Sequence, residues 1–266
     1  MMAIEITSGS SPYSGLELLR VDPEGEPTGP PVLFVHGASH AAWCWRSWME
    51  QVAESGRQAF AVSLTGHGAS PGPLATATVG TYVEDVVRTA AGLDTRPVLV
   101  GHSLGGLVVQ KAIARYPVRA AVLVAPIPAR PGAGTLLKIA RSHPTDLLRI
   151  SLGDSLPMRP DYLFHAASQD EAERWAAMCG RESPIAQFEV LLHRPAGPPK
   201  GDPPILVLGT PEDALIPIAD VRDTARRYGA ELLEFPGLGH DLMLDSGGDE
   251  VADAMLGWLD ARAPSV

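Results

Sequence analysis

Cysteine is scarce in this sequence: Cys44 and Cys179 are the only two in 266 residues. Two thiols far apart, each in an apolar helix-like pattern, give neither a disulfide framework nor a metal-ligand spacing, and they read as free buried thiols. Long hydrophobic runs are also missing. None reaches the roughly 20 residues that a membrane-crossing helix needs. The opening stretch "MMAIEITSGSSPYSG" lacks the positive start and apolar centre of a secretory leader. The expectation is a cytoplasmic protein without a membrane partner. Positive charge is in deficit, with 21 Lys and Arg against 31 Asp and Glu and a formal net charge of −10. No basic stripe is available for nucleic acid, and anionic membranes or acidic carrier proteins are disfavoured. What remains is ordinary globular material, 45% hydrophobic and 20% charged. The length suits one large domain, with room for an inserted subdomain. There is no internal repeat and no low-complexity tail.

Short apolar runs alternate with helix-length amphipathic stretches. "LELLRV" (16–21), "PVLFVHG" (31–37), "QAFAVSL" (58–64), "PVLVG" (97–101), "RAAVLVAP" (119–126), "PILVLG" (204–209) and "ELLEFP" (231–236) read as strands. Between and after them, 43–56, 79–93, 104–116, 218–228 and 249–262 read as helices. This alternation predicts an α/β fold, a doubly wound and mostly parallel sheet flanked by helices. One segment breaks the rhythm. Residues 127–202 contain no strand signal and are bounded by "PIPARPGAG" and "RPAGPPKGDPP". Ser168 and Glu171 form a capping box ahead of one helix, and Ser183-Pro184 starts another. The segment is expected to be a helical cap inserted into a core formed by 1–126 and 203–266.

"GHSLGG" (101–106) stands where a strand ends and a helix begins. A serine hydroxyl becomes a nucleophile only when a base takes its proton, and it must project into open space. A sharp strand-to-helix turn achieves this. Gly101 and Gly105 suit such a turn, and the helix that follows directs its free N–H groups toward developing negative charge. G-x-S-x-G in this setting is a nucleophile elbow centred on Ser103. The alternative is a serine that merely caps the helix.

With "HGA" (36–38), "GHG" (66–68), "LGTPEDALIP" (208–217) and "GLGHDLML" (237–244), the chain resembles the α/β-hydrolase superfamily over nearly its whole length. "VHGASHAAWCW" is similar to the small esterase and hydroxynitrile-lyase branch. The resemblance implies a Ser–Asp–His triad in that chain order. His240, in the loop after the last strand, fits the general base. Asp213, after a late strand, fits the acid, although it also suits a turn aspartate capping the helix near 218. The backbone N–H groups of Leu104 and, by the resemblance, Ala38 would form the oxyanion hole. Ser39 could add its hydroxyl. His36, His67 and His102 read as structural or site-lining, and His143, His165 and His193 as surface or lid residues. His40, Trp43, Phe164, Trp175 and Met178 are candidate substrate contacts, with Trp45, Met158, Leu163 and Phe188 as further apolar walls. Each of these also fits plain core packing.

The expected function is hydrolysis of a carboxylic ester, lactone or thioester of a small, mainly apolar molecule. It needs no metal and no organic cofactor, and the protein would act as a monomer or homodimer. A serine at the elbow argues against dehalogenases and epoxide hydrolases, which resemble this chain but use aspartate there. Hydroxynitrile lyases carry a lysine close after the catalytic histidine, where Asp241 and Leu242 stand here. A cyclase or lyase, a carbon–carbon bond hydrolase and a slow-turnover small-molecule receptor remain as alternatives on the same fold.

Overall fold

A computed structural model describes residues 6–11, 14–131 and 134–263; part of the stretch weighed as a leader and Gly132-Ala133 of the first Pro/Gly border lie outside them. Eight strands form one sheet: β1 (Thr7–Ser10), β2 (Glu17–Val21), β3 (Val32–Val35), β4 (Ala59–Val62), β5 (Val98–His102), β6 (Ala120–Val124), β7 (Ile205–Gly209) and β8 (Glu231–Glu234). Their order is β1-β2-β4-β3-β5-β6-β7-β8, antiparallel at β1/β2 and β2/β4 and parallel elsewhere.

Burial on both faces explains the apolar runs. In β3, Leu33 and Val35 pack into one core while Val32 and Phe34 pack into the other. The first core is closed by α2 (Val79–Ala91), α3 (Leu104–Ile113) and α9 (Ile218–Tyr228). The second is closed by α1 (Arg46–Glu54), which follows a 3-10 turn at Ala42–Trp45, and by α10 (Gly248–Arg262). Strands of this kind read as continuous hydrophobic runs because neither face meets water.

Between β6 and β7 the chain forms α4 (Gly134–Ser142), α5 (Pro144–Ser151), α6 (Pro160–Leu163), α7 (Gln169–Met178) and α8 (Pro184–Leu192). The Ser168/Glu171 capping box opens α7, and the Ser183 side chain caps α8, with Pro184 in its first turn. The helix α7 ends at Met178, with Cys179 as its cap. Among the described residues, no helix is long and apolar enough to cross a membrane.

The sheet order sets up the site. The chain leaves β3 toward β4 on one side and returns to β5 on the other. The loops after β3 and β5 therefore diverge at a switch point, where open α/β sheets form a crevice at the carboxyl ends of their strands.

Candidate active site

Ser103 occupies the bend between β5 and α3 with φ 50° and ψ −114°. This is a positive-φ conformation that costs a non-glycine residue about 1–3 kcal/mol. The surrounding backbone holds it there. The Ser103 N–H donates to the Val124 carbonyl at 2.9 Å, and its carbonyl accepts from the N–H groups of Leu107 at 3.2 Å and Ile127 at 3.0 Å. A Cβ on Gly105 would collide with the carbonyl oxygens of Val35 and His36, and one on Gly101 with the Gly105 carbonyl. Glycine at both positions lets α3 sit close enough to β3 for the bend to form.

His240 reaches back from the loop after β8. Its Nε2 lies 2.9 Å from Ser103 Oγ and its Nδ1 lies 2.7 Å from Asp213 Oδ2. The other Asp213 oxygen accepts the Leu215 and Ile216 N–H groups, each at 2.7 Å. The turn after β7 thus fixes the carboxylate before the histidine arrives. Glu212 points elsewhere, accepting from the Thr210 hydroxyl and the Gly237 N–H. Burial opposes charge on His240, but Asp213, aided by Asp241, outweighs it and holds the imidazole above its ordinary pKa.

The other nearby imidazoles differ in charge. Burial and the His67 neighbour push His36 well down; its Nε2 accepts the Leu64 N–H and its Nδ1–H donates to the Gly37 carbonyl. Burial and His240 push His102 down to about 3; its Nε2–H donates to the His240 carbonyl at 3.1 Å. His40 behaves in the opposite way. Burial opposes its charge, yet Asp241, accepting its Nε2–H at 2.9 Å, raises it well above the usual value. Its Nδ1–H donates to the Ala38 carbonyl at 2.8 Å. His40 and Asp241 thus form a buried ion pair joining the turn after β3 to the residue after His240.

Ser103, His240, Ala38, Leu104 and His40 line one cavity of about 780 Å³, its mouth included. Neither the Ala38 nor the Leu104 N–H engages an acceptor among the described residues. The helical segment supplies much of the wall, including Ile139, Leu156, Met158, Leu163, Val190 and Leu191. No lysine, arginine, phenylalanine, tyrosine or tryptophan is among the described lining residues, whereas the buried acid Glu182 is. Ser39 is not part of this wall.

Three of the expected substrate contacts sit elsewhere. Trp43, Trp175 and Met178 line a second cavity, with the start of α10, of about 1120 Å³. The Trp43 and Trp175 rings stack 5.8 Å apart at 10°, and the Arg174 guanidinium lies 4.8 Å above Trp175. Trp175 on α7 therefore faces Trp43, which in turn stacks on His40 at 5.6 Å, while Ala176 and Cys179 pack against the first core. Trp45, fully buried in the second core, and Phe188, exposed on α8, are also absent from the Ser103 cavity, as is Phe164, which packs at the edge of the first core. There the chain passes so close to Gly239 that a Cβ would strike the Leu163 carbonyl and Phe164 Cα.

Among the described residues, His102, His240 and Asp241 offer ligand atoms within 4.8 Å of one another. A metal there would displace existing partners, because both His240 nitrogens are engaged with Ser103 and Asp213 and Asp241 is paired with His40.

Residues 32–254 match the model of the alpha/beta hydrolase family. The chain belongs to that family. It is 42% identical to Esterase PIR7B of rice (Oryza sativa subsp. japonica) over 101 residues, 35% of this chain and 37% of the relative. It is 26% identical to Methylesterase 18 of Arabidopsis thaliana over 208 residues, 69% of this chain and 79% of that protein. The fold also superposes on a monoglyceride lipase of Saccharomyces cerevisiae with a TM-score of 0.77 at 12% identity, covering 100% of this chain and 97% of the other.

In this α/β hydrolase, the loops that carry Asp213, His240 and Ala38 are also tied to the helical segment. Asp245 accepts the Gly239 N–H beside His240 together with the N–H groups of His165, Ala166 and Ala167. The Lys138 ammonium donates to the Asp213 carbonyl. Ser39, next to Ala38, is held by Gly180 and Glu182. Sequence reasoning did not single out Glu182 or the His40–Asp241 pair. For the latter, an acidic residue directly after His240 was the available signal.

Proposed function

We propose that this protein is a carboxylic-ester hydrolase that acts through an acyl-serine intermediate on small, neutral, aliphatic substrates. The unbroken line of hydrogen bonds Ser103–His240–Asp213 carries the assignment. Ser103 Oγ attacks the ester carbonyl while its proton passes to His240 Nε2. The new negative charge settles on the carbonyl oxygen, where the Ala38 and Leu104 amides act as donors; one such donor contributes roughly 10²–10³ in rate. Collapse of the tetrahedral intermediate breaks the bond to the alcohol oxygen, which takes the proton from His240. A water molecule then gives its proton to His240 and attacks the acyl group, releasing the acid and restoring Ser103. Asp213 stabilises the imidazolium and fixes its tautomer throughout. Lactones and thioesters fit the same steps.

The wall chemistry supports the substrate class. Aliphatic side chains favour an acyl or alkyl chain; the described lining holds no lysine or arginine to pair with a substrate carboxylate or phosphate, and both nitrogens of His40 are already engaged by Asp241 and the Ala38 carbonyl. The Glu182 carboxylate would repel such a group. The helical segment 127–202 acts in this reading as a cap over the site.

The test combines a fluorophosphonate with a p-nitrophenyl ester series. The expected results are labelling confined to Ser103, a burst of p-nitrophenol followed by steady turnover, and loss of both in Ser103→Ala. A burst without turnover would mark a receptor or acyl-transfer protein, and an unlabelled Ser103 would exclude the serine mechanism.

A further inference from the structure

The turn after β3 contains a residue that sterics disfavour. Ser39 has φ 64°, and its buried hydroxyl has no partner among the described residues. A serine in this region persists only when its surroundings over-determine it. Both of its backbone groups are held by the helical segment. The Ser39 carbonyl accepts the Gly180 N–H at 2.7 Å, and the Ser39 N–H donates to Glu182 Oε2 at 3.2 Å. Glu182 is itself firmly seated. Its Oε1 accepts from the Tyr82 hydroxyl and the Ser183 N–H, each at 2.6 Å, and its Oε2 lies 3.3 Å from His67 Nε2. Burying a carboxylate costs several kcal/mol unless its lone pairs are satisfied, and here protein donors surround it. The carboxylate has no place in the ester mechanism, yet it lines the same cavity as Ser103.

The Ser39 N–H and the Ala38 carbonyl belong to one peptide unit, held at its two ends by Glu182 and by His40; the Gly37–Ala38 unit that carries the Ala38 N–H is joined to it through the Ala38 Cα, so the orientation of the first constrains that of the second. We propose that Glu182 is a positioning residue: through Ser39 it holds the Ala38 amide where the oxyanion needs a donor, so that a residue of the helical segment completes the catalytic site. This rests on the serine-hydrolase reading above. The consequence is that losing Glu182 should weaken binding of the transition state more than binding of the ester itself.

The experiment compares wild type, Glu182→Gln, Glu182→Ala and the control Tyr82→Phe in the full chain. Tyr82→Phe removes one partner of Glu182 without touching Ser39. Glu182→Gln has the same size but cannot accept from all the donors around the native carboxylate. Turnover of a p-nitrophenyl ester is measured alongside inhibition by a trifluoromethyl ketone, which adds to the serine and places an oxyanion in the hole. Thermal melting reports the folded state of each variant.

The expected result for Glu182→Gln is a kcat fall of about tenfold to a hundredfold, below the roughly 10²–10³ for outright loss of a donor. KM should stay within about twofold, and ketone affinity should fall by a factor matching kcat/KM. Tyr82→Phe should lower the melting temperature with kcat changed less than about threefold. Glu182→Ala should exceed the Gln variant in every effect; if it does not fold, the Gln variant decides. Equal patterns in Glu182→Gln and Tyr82→Phe, or unchanged ketone affinity in a folded Gln variant, would overturn the proposal and leave Glu182 a structural acid. Failure of the serine-hydrolase reading would show differently, as wild-type Ser103 that neither labels with fluorophosphonate nor matters when replaced.

Discussion

Replacing Asp213 by Asn tests the proton path at its least replaceable point. One Asp213 oxygen accepts two backbone N–H groups at 2.7 Å, and the other faces His240 Nδ1 at 2.7 Å. An asparagine has one oxygen and one NH₂. Turning the NH₂ toward Leu215 and Ile216 would set donors against donors and leave buried groups unsatisfied, at about 1–3 kcal/mol each. The oxygen therefore stays with the backbone and the NH₂ faces His240. Nδ1 must then accept, the ring proton moves to Nε2, and Ser103 meets a donor where it needs an acceptor. The rate should fall about 10⁴-fold in kcat, close to 5.5 kcal/mol at about 1.36 kcal/mol per decade. The pH profile supplies a second reading. In the proposed mechanism neutral His240 is the active form, so wild-type kcat/KM should fall on acidification with a midpoint above the ordinary histidine value of about 6.5, because Asp213 outweighs burial and raises that pKa. In the Asn variant the midpoint should move to lower pH. Steady-state assays from pH 5 to 9, with circular dichroism to confirm folding, measure both. A folded Asp213→Asn variant retaining more than a tenth of wild-type kcat would refute the mechanism.

His40→Ala leaves Asp241 buried without its cation, and the cost should be about 3–5 kcal/mol in a urea melt at neutral pH. Because the folded pKa of His40 is raised, its charge contributes fully below about pH 6.5 and the contribution is lost as pH rises through the raised value; the gap to wild type should therefore narrow in alkali, and a constant gap would speak against the ion pair. At the elbow, Ser103→Gly should be more stable than Ser103→Ala by about 1 kcal/mol, since only glycine relieves the positive φ; equal melting temperatures would mean that the bend stores no strain. Val190→Trp, which narrows the aliphatic cavity, should shift the preferred p-nitrophenyl ester to shorter acyl chains, whereas Trp175→Ala, in the second cavity, should leave that preference unchanged; the opposite pattern would show that the cavities have been assigned the wrong way round.

The sheet was legible because parallel strands buried on both faces leave apolar runs that few other elements produce. β1 left no such trace. Its sequence TSGS is exposed at all four positions, and backbone pairing with β2 alone defines it. The Ser, His and Asp of the site were each legible from their place after a strand end, which the topology brings to one crevice. The tryptophans were not. Periodicity shows that a face of α7 is apolar but not which neighbour it meets, and Trp175 meets Trp43. Glu182 was hidden for a different reason. In "CGRESP" it reads as a solvated charge, while its partners Ser39 and Tyr82 stand 143 and 100 positions away.

In the proposed mechanism, the ties between the helical segment and the loops of Asp213, His240 and Ala38 divide what can vary from what cannot. Lys138, the 165–167 backbone and Glu182 touch three separate loops, and all three contacts involve buried or half-buried polar groups that lose a partner if the segment leaves. The apolar lining has no such obligation. Val190, Leu191, Ile139 and Met158 border the cavity with apolar side chains that make no hydrogen bond, and a change of size there alters which chain fits at the cost of local packing. Substrate preference can therefore drift along the wall, while the backbone and charged contacts that hold the proton path stay fixed. A specificity change built by replacing whole helices, in contrast, would remove the Lys138 and Glu182 contacts together with the wall and would alter turnover along with selectivity.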